Sequence, residues 1–183
     1  MPKNHLINRT MKIAIKDRTA LAEYFAELGF KRGAEIGVLA GSFSAILCQV
    51  NPALELYCID SWGMGDVKMH NYHSRMYEKA KQKLSFCNAT LIRKRSMDAV
   101  GDFRDNSLDF VHIDANHSFG HVTDDITKWS MKVKTGGIVS GHDYNTAPGV
   151  KEAVDAYTTS RHLTLHLATE LDNGVISWWF VNK

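Results

Sequence analysis

Cysteine is scarce in this 183-residue chain, and what there is comes without pattern. Cys48, Cys58 and Cys87 form an odd set with no paired spacing. That argues against a disulfide framework and against a thiolate zinc site. Two of the three fall in apolar runs, so all three read as reduced thiols, and a cytoplasmic location is the expectation. An excess of one charge is also missing. Twenty-two basic and 20 acidic residues give a formal net charge of +2, too little to argue for a nucleic-acid partner. Lys79, Lys81, Lys83, Arg93, Lys94 and Arg95 make a local basic region that reads as a solvated face. No apolar stretch approaches membrane-spanning length, and residues 1–16 have no apolar core bounded by a cleavage site, so no membrane partner is expected. Repeats, low-complexity tracts and linkers are lacking too. One domain over residues 1–183 is therefore expected, with residues 1–16 as an N-terminal extension. The 44% hydrophobic content is enough to build its core.

What the chain does have is a run of alternating strand and helix patterns. The most informative stretch is residues 34–44, where an apolar run carries Glu35, reaches Gly37, and restarts with helical spacing after Gly41, Ser42 and Ser44. This is a strand, a tight turn and a helix start. Gly37 and Gly41 suit a turn against which a ligand lies on bare main chain, and Ser42 or Ser44 is placed to cap the helix. The next apolar run ends on Asp60, followed by Ser61. A carboxylate there can accept both hydroxyls of a ribose, which serves NAD and S-adenosylmethionine equally. The turn separates them: after Gly37 the next glycine is Gly41, so the closely spaced glycines of a pyrophosphate site are missing. Glu35 would repel a diphosphate and hold the cationic amine of a methionine. The stretch resembles the first motif of class I S-adenosylmethionine-dependent methyltransferases, in the E-x-G-x-x-x-G form of small O-methyltransferases. A plain glycine turn joining a core strand to a helix is the competing reading.

The chain predicts a helix over residues 17–28, a second strand over 54–60, an irregular stretch over 61–74 in the place of a substrate lid, a helix over 72–86 and a short strand over 90–92. A fourth strand ends at Asp114, with a helix over 119–133. A fifth strand over 136–143 is introduced by the pair Gly136 and Gly137. A helix over 148–159 and strands over 163–168 and 175–181 follow, the last after the Asp172-Asn173-Gly174 turn. Alternation gives an α/β, doubly wound, Rossmann-like sheet, and the helix-free link between the last two strands makes them an antiparallel hairpin. This ending resembles the seven-stranded methyltransferase sheet, mostly parallel with an antiparallel last strand, in the order 3-2-1-4-5-7-6.

Asp114 and Asp143 each close an apolar strand on the same sheet edge, where two carboxylates repel unless a cation lies between them. Mg²⁺ or another divalent cation is the expected occupant, with His142 or Asn116 as further ligands; His117, with His142 and His121, could instead recruit Zn²⁺, Mn²⁺ or iron. The pattern is similar to the metal-dependent O-methyltransferases of the catechol type and to the small methyltransferases of methyltransferase family 24. The resemblance implies metal ligation by Asp114 and Asp143, and it puts His117 where the catechol type carries its general base, usually a lysine. Tyr144 stands where that type has an asparagine ligand, so the third ligand is either missing or supplied by His142.

The reading is a methyltransferase acting on a small, hydroxylated acceptor. Glu35, Gly37, Gly41, Ser42, Asp60, Ser61, Met97, Asp98 and Asp114 would contact the cofactor, with Met97 and Asp98 framing the adenine. His117, Asp114 and Asp143 would do the chemistry. Two other readings stand beside it: a non-haem metal hydroxylase-like relative using two histidines and a carboxylate, and a non-catalytic cofactor-binding scaffold. Trp62, Tyr72 and Tyr144 are expected as exposed aromatics of the acceptor pocket, and Trp178, Trp179 and Phe180 as sheet core or the border of a homodimer contact.

Overall fold

Asp17 starts the first helix, since its carboxylate accepts the Ala20 backbone N–H at 2.9 Å. α1 (Arg18–Glu27) then buries Leu21, Ala22 and Phe25 and stops at Gly29, whose φ of 73° is left-handed. The computed structural model describes residues 15–64 and 68–183. Most of the expected extension, residues 1–14, and Gly65 of the expected lid lie outside the described residues.

The remaining elements follow in chain order. They are β1 (Arg32–Ile36), α2 (Ser42–Val50), β2 (Glu55–Asp60), α3 (His70–Lys83), β3 (Ala89–Arg93), α4 (Ser96–Ala99) and β4 (Leu108–Ile113). Then come α5 (Phe119–Ser130), β5 (Val133–Gly141), α6 (Pro148–Ser160), β6 (His166–Leu167) and β7 (Trp178–Val181). The strands form one sheet in the order β3-β2-β1-β4-β5-β7-β6, with β7 antiparallel to both its neighbours, as the sequence predicts.

Alternation along each strand divides the core. Ala34, Ile36, Val111 and Ile113 face α4, α5 and α6, where Val122, Ile126, Trp129 and Val154 are buried. The opposite face meets α1, α2 and α3 through Phe110, Phe25, Phe43 and Leu47, with Phe25 stacked on Phe110 at 4.4 Å between centroids. On that second face one row is polar. Cys58, Glu35, His112, Ser140 and Trp179 are successive register partners across five strands.

Several expectations are corrected. β5 begins at Val133, before the expected start at Gly136, so Gly136 and Gly137 lie inside it. They open an irregularity opposite Leu108 and Phe110, where a Cβ on Gly137 would lie 2.4 Å from the Asp109 carbonyl oxygen. Of the sixth strand only His166 and Leu167 pair, because Leu163 and Leu165 pack on the core instead. Trp62 is not an exposed pocket aromatic; it is 1% exposed. Tyr144 packs against the core and donates its hydroxyl to Asp155 at 2.7 Å. Trp178, Trp179 and Phe180 are buried in the sheet.

Backbone bonds from Thr169 to Ile15 and from Glu170 to Lys16, 3.0 and 2.8 Å, tie the start of α1 to the link between β6 and β7. No helix among the described residues is long and apolar enough to cross a membrane.

Candidate active site

The carboxyl ends of β1, β2 and β4 border a cleft of about 930 Å³, at the upper end of the range for small-molecule sites. It lies where the order reverses between β1 and β4, the position at which parallel sheets bind ligands.

The turn after β1 forms its floor. Gly37 has φ 92°, and a Cβ there would lie 2.0 Å from the Asp114 carbonyl oxygen, so only glycine lets β1 pass the end of β4 this closely. Leu39 follows with φ 50°. Asp60 holds that strained residue in place, accepting the Leu39 N–H at 2.8 Å on one carboxylate oxygen and the Trp62 N–H at 2.7 Å on the other. Gly41 lies outside the cleft lining. Its left-handed conformation starts α2, and its Cβ direction faces Leu84 at 3.2 Å. Neither serine caps the helix. Ser42 lines the cleft and accepts a 2.9 Å bond from Lys83 Nζ, while Ser44 donates to the Glu35 carboxyl.

Glu35 is 2% exposed at the cleft wall. Burial pushes its carboxyl up to about 8; the Ser44 bond opposes the shift, and the charge of Asp114 adds to it. Even with the Arg18 guanidinium opposing the shift, Glu35 is therefore mostly protonated at neutral pH before a ligand cation binds.

Ser61 lines the cleft next to Asp60, and Met97 and Asp98 line it on the side of α4. Ser96 donates to Asp125 and accepts Trp129 Nε1 at 2.8 Å. Burial raises the Asp125 carboxyl to about 6.

At the other end His117, Asp114 and Asp143 converge. Their possible ligand atoms lie within 4.8 Å of one another, and they are the group of metal-ligand type found among the described residues. His117 Nε2 is 3.3 Å from Asp143 and 3.7 Å from Asp114. Pairing with Asp114, helped by the charge of Asp143, holds the imidazole above its ordinary pKa. The His142 contact, then the Thr146 hydrogen bond and the charge of His117, hold Asp143 well below the usual carboxylate range although burial opposes them. Asp143 has φ 62°, and Leu39, Trp62 and Asp143 are three of the six non-glycine residues with positive φ among the described residues. Strain thus gathers around the cleft.

His142 Nδ1 approaches the same carboxylates, at 3.4 Å from Asp143 and 3.9 Å from Asp114. Two imidazoles thus border the two acids: His117 completes the three-residue group, and His142 adjoins it. The three-residue group itself offers one imidazole and two carboxylates. Asp143 and His142 adjoin the cleft through these contacts and are not in its lining.

Among the charged lining residues, Arg18, Asp124 and Asp125 escape a sequence reading, while His73 falls in the stretch expected as a lid. Only Arg18 carries a signal, as the residue after a helix cap. Nothing in the chain says which way α1 faces.

Residues 34–144, more than half of the chain, match a family model described as a methyltransferase domain. An uncharacterized protein y4gI of Sinorhizobium fredii is 28% identical over 121 residues, which are 62% of this chain and 13% of that protein. The chain thus spans a small part of that relative. The O-methyltransferase of Bacillus cereus in complex with SAH superposes with a TM-score of 0.67 at 12% identity, covering 90% of this chain and 80% of that one. The O-methyltransferase TomG of Streptomyces achromogenes, solved with SAM and involved in tomaymycin synthesis, gives 0.67 at 16% identity, with 91% and 80% covered. At such identities the likeness is one of fold.

Proposed function

Because the chain belongs to the methyltransferase-domain family, we propose that it transfers the methyl group of S-adenosylmethionine to an oxygen of a small hydroxylated acceptor. The observation that supports this reading most is a continuous wall. It runs from Asp98 and Asp60, past Glu35 and Gly37, to Asp114 and His117 in one cleft.

The donor set suits the cofactor. Asp60 accepts one backbone N–H on each oxygen and retains further lone pairs for the ribose hydroxyls. Met97 offers an apolar face to the adenine, and Asp98 an acceptor for its amino group. Glu35 sits where the methionine amine would lie, and that cation would favour ionised Glu35. Ser42, Ser61 and the Gly37 turn complete the contact, while Gly41 acts through the turn it permits. The bound cofactor supplies an activated methyl group and a neutral thioether as leaving group.

Asp114 and Asp143 orient the acceptor, and His117, where its Nε2 holds no cation, takes up the hydroxyl proton. Their two carboxylates and one imidazole also form a donor set that suits a divalent cation, Mg²⁺ or a borderline metal such as Mn²⁺. A cation there would make the acceptor hydroxyl more acidic.

Calorimetric titration of the full chain with S-adenosylhomocysteine and with NAD tests the reading. Micromolar binding of the first and none of the second is the expected result. Binding of NAD alone, or of neither, overturns it.

A further inference from the structure

Arg18, the first residue of α1, stands in the cleft wall together with Glu35 and Phe43, and its guanidinium carbon is 5.8 Å from the Phe43 ring centroid. Its Nε is ion-paired to Asp172 Oδ2, and both side chains are 21% exposed. Asp172 is itself fixed. Its backbone exchanges hydrogen bonds with Val175, its Oδ1 accepts Asn173 Nδ2 at 3.0 Å, and its Oδ2 lies 4.0 Å from His142 Nε2.

A guanidinium has five N–H donors in a rigid plane. Holding it through Nε fixes a long, flexible side chain and leaves the two Nη groups to act as a fork. Among the described residues neither Nη of Arg18 makes a hydrogen bond. The other arginine in the lining, Arg95, belongs to the Met97 and Asp98 end. A cationic fork in the cleft wall matches a planar anion with two equivalent oxygens.

We infer that Arg18 is the carboxylate-binding residue of the cleft, held ready by Asp172, and that the carboxylate is that of the methionine half of the cofactor. This rests on the methyltransferase reading, and it adds a residue which that reading does not need. The position beside Glu35 favours the cofactor over an acidic acceptor as the source of the carboxylate. One end of the amino acid would then meet an acid and the other a base, so the cleft would recognise a zwitterion.

The test compares the unaltered full chain with Arg18→Gln and Arg18→Lys, after thermal melting has shown that each folds. S-adenosylhomocysteine and its decarboxylated analogue, the 3-aminopropyl thioether of 5′-deoxyadenosine, are titrated by calorimetry. The unaltered chain is expected to prefer the carboxylated ligand at least about ten-fold, the worth of one charge-assisted pair. Arg18→Gln should lose that preference while still binding the analogue, and Arg18→Lys should recover part of it. Asp172→Asn, which keeps the cation and loosens its aim, should lower the preference without abolishing it. A preference unchanged in Arg18→Gln overturns the inference alone. If S-adenosylhomocysteine fails to bind even the unaltered chain, the cofactor reading falls with it. A second arm compares 3,4-dihydroxybenzoate with catechol on the S-adenosylhomocysteine-saturated proteins. A change in Arg18→Gln confined to that arm assigns the fork to the acceptor and overturns the cofactor assignment.

Discussion

The indole nitrogen of Trp62 donates a 2.8 Å hydrogen bond to the carbonyl oxygen of Leu39, and both residues hold positive φ, 40° and 50°. Two strained residues from different loops thus brace each other at the cleft floor. Trp62→Phe keeps an aromatic ring in a site that is 1% exposed but leaves the Leu39 carbonyl without this donor. The expected loss is about 1–3 kcal/mol in denaturant unfolding. A midpoint and slope unchanged from the parent would refute the brace.

Asp60 joins the same two loops through its backbone acceptors. Asp60→Ala removes both bonds together with the proposed ribose contact, so it should weaken S-adenosylhomocysteine binding by at least about ten-fold and lower stability by about 1–3 kcal/mol. Calorimetry and thermal melting read the two effects separately. Binding as tight as in the parent contradicts the ribose role, whatever the melt shows.

Glu35 makes stability depend on pH in a stated direction. Its carboxyl titrates near 8 when folded, against about 4.5 for a glutamate in the unfolded chain, so between these limits the folded chain holds the extra proton. Stability from this group is therefore lost as pH rises from about 4.5 to 8 and is level above that. Glu35→Gln mimics the protonated acid. It should melt close to the parent at pH 5 and be more stable than it at pH 8.5 by an amount on the order of a few kcal/mol, in the absence of ligand. A difference that does not grow with pH contradicts the buried acid.

The group of Asp114, His117 and Asp143 predicts divalent metal binding. Chelator-treated protein titrated with Mn²⁺ should show a bound ion by electron paramagnetic resonance, and both His117→Ala and Asp143→Asn should weaken it by about 10–100-fold. His142→Ala, which lies outside the group, should weaken it less. Equal Mn²⁺ binding by all four proteins would leave the carboxylates with no metal role.

What could be read from the sequence was what depends on strand ends. Glu35, Asp60 and Asp114 fell into one cleft because parallel strands bring their carboxyl ends to a common edge, whatever the loops do. The antiparallel β7 was legible because no helix separates the last two strands. Features set by side-chain direction were not. Trp62 lies in a segment without periodicity, and its burial follows from a left-handed turn that no residue pattern announces. That both His117 and His142 reach the two acids depends on the paths of the loops after β4 and β5. Gly41 was expected beside the ligand, yet its freedom of φ serves the helix start, and the two uses look alike in a sequence.

The bonds from Thr169 and Glu170 back to Ile15 and Lys16 join residues 154 positions apart. Contacts of that span form late, since a long stretch of chain must be closed before they contribute. A growing chain can assemble β1, β2 and β4, and with them Glu35, Asp60 and Asp114, well before residue 172 emerges. Arg18 gains its partner only then, and β7 still has to slot in beside β5. The nascent protein therefore passes through a stage with acids in place and their balancing base unanchored, and the finished cleft is a product of the last steps of folding.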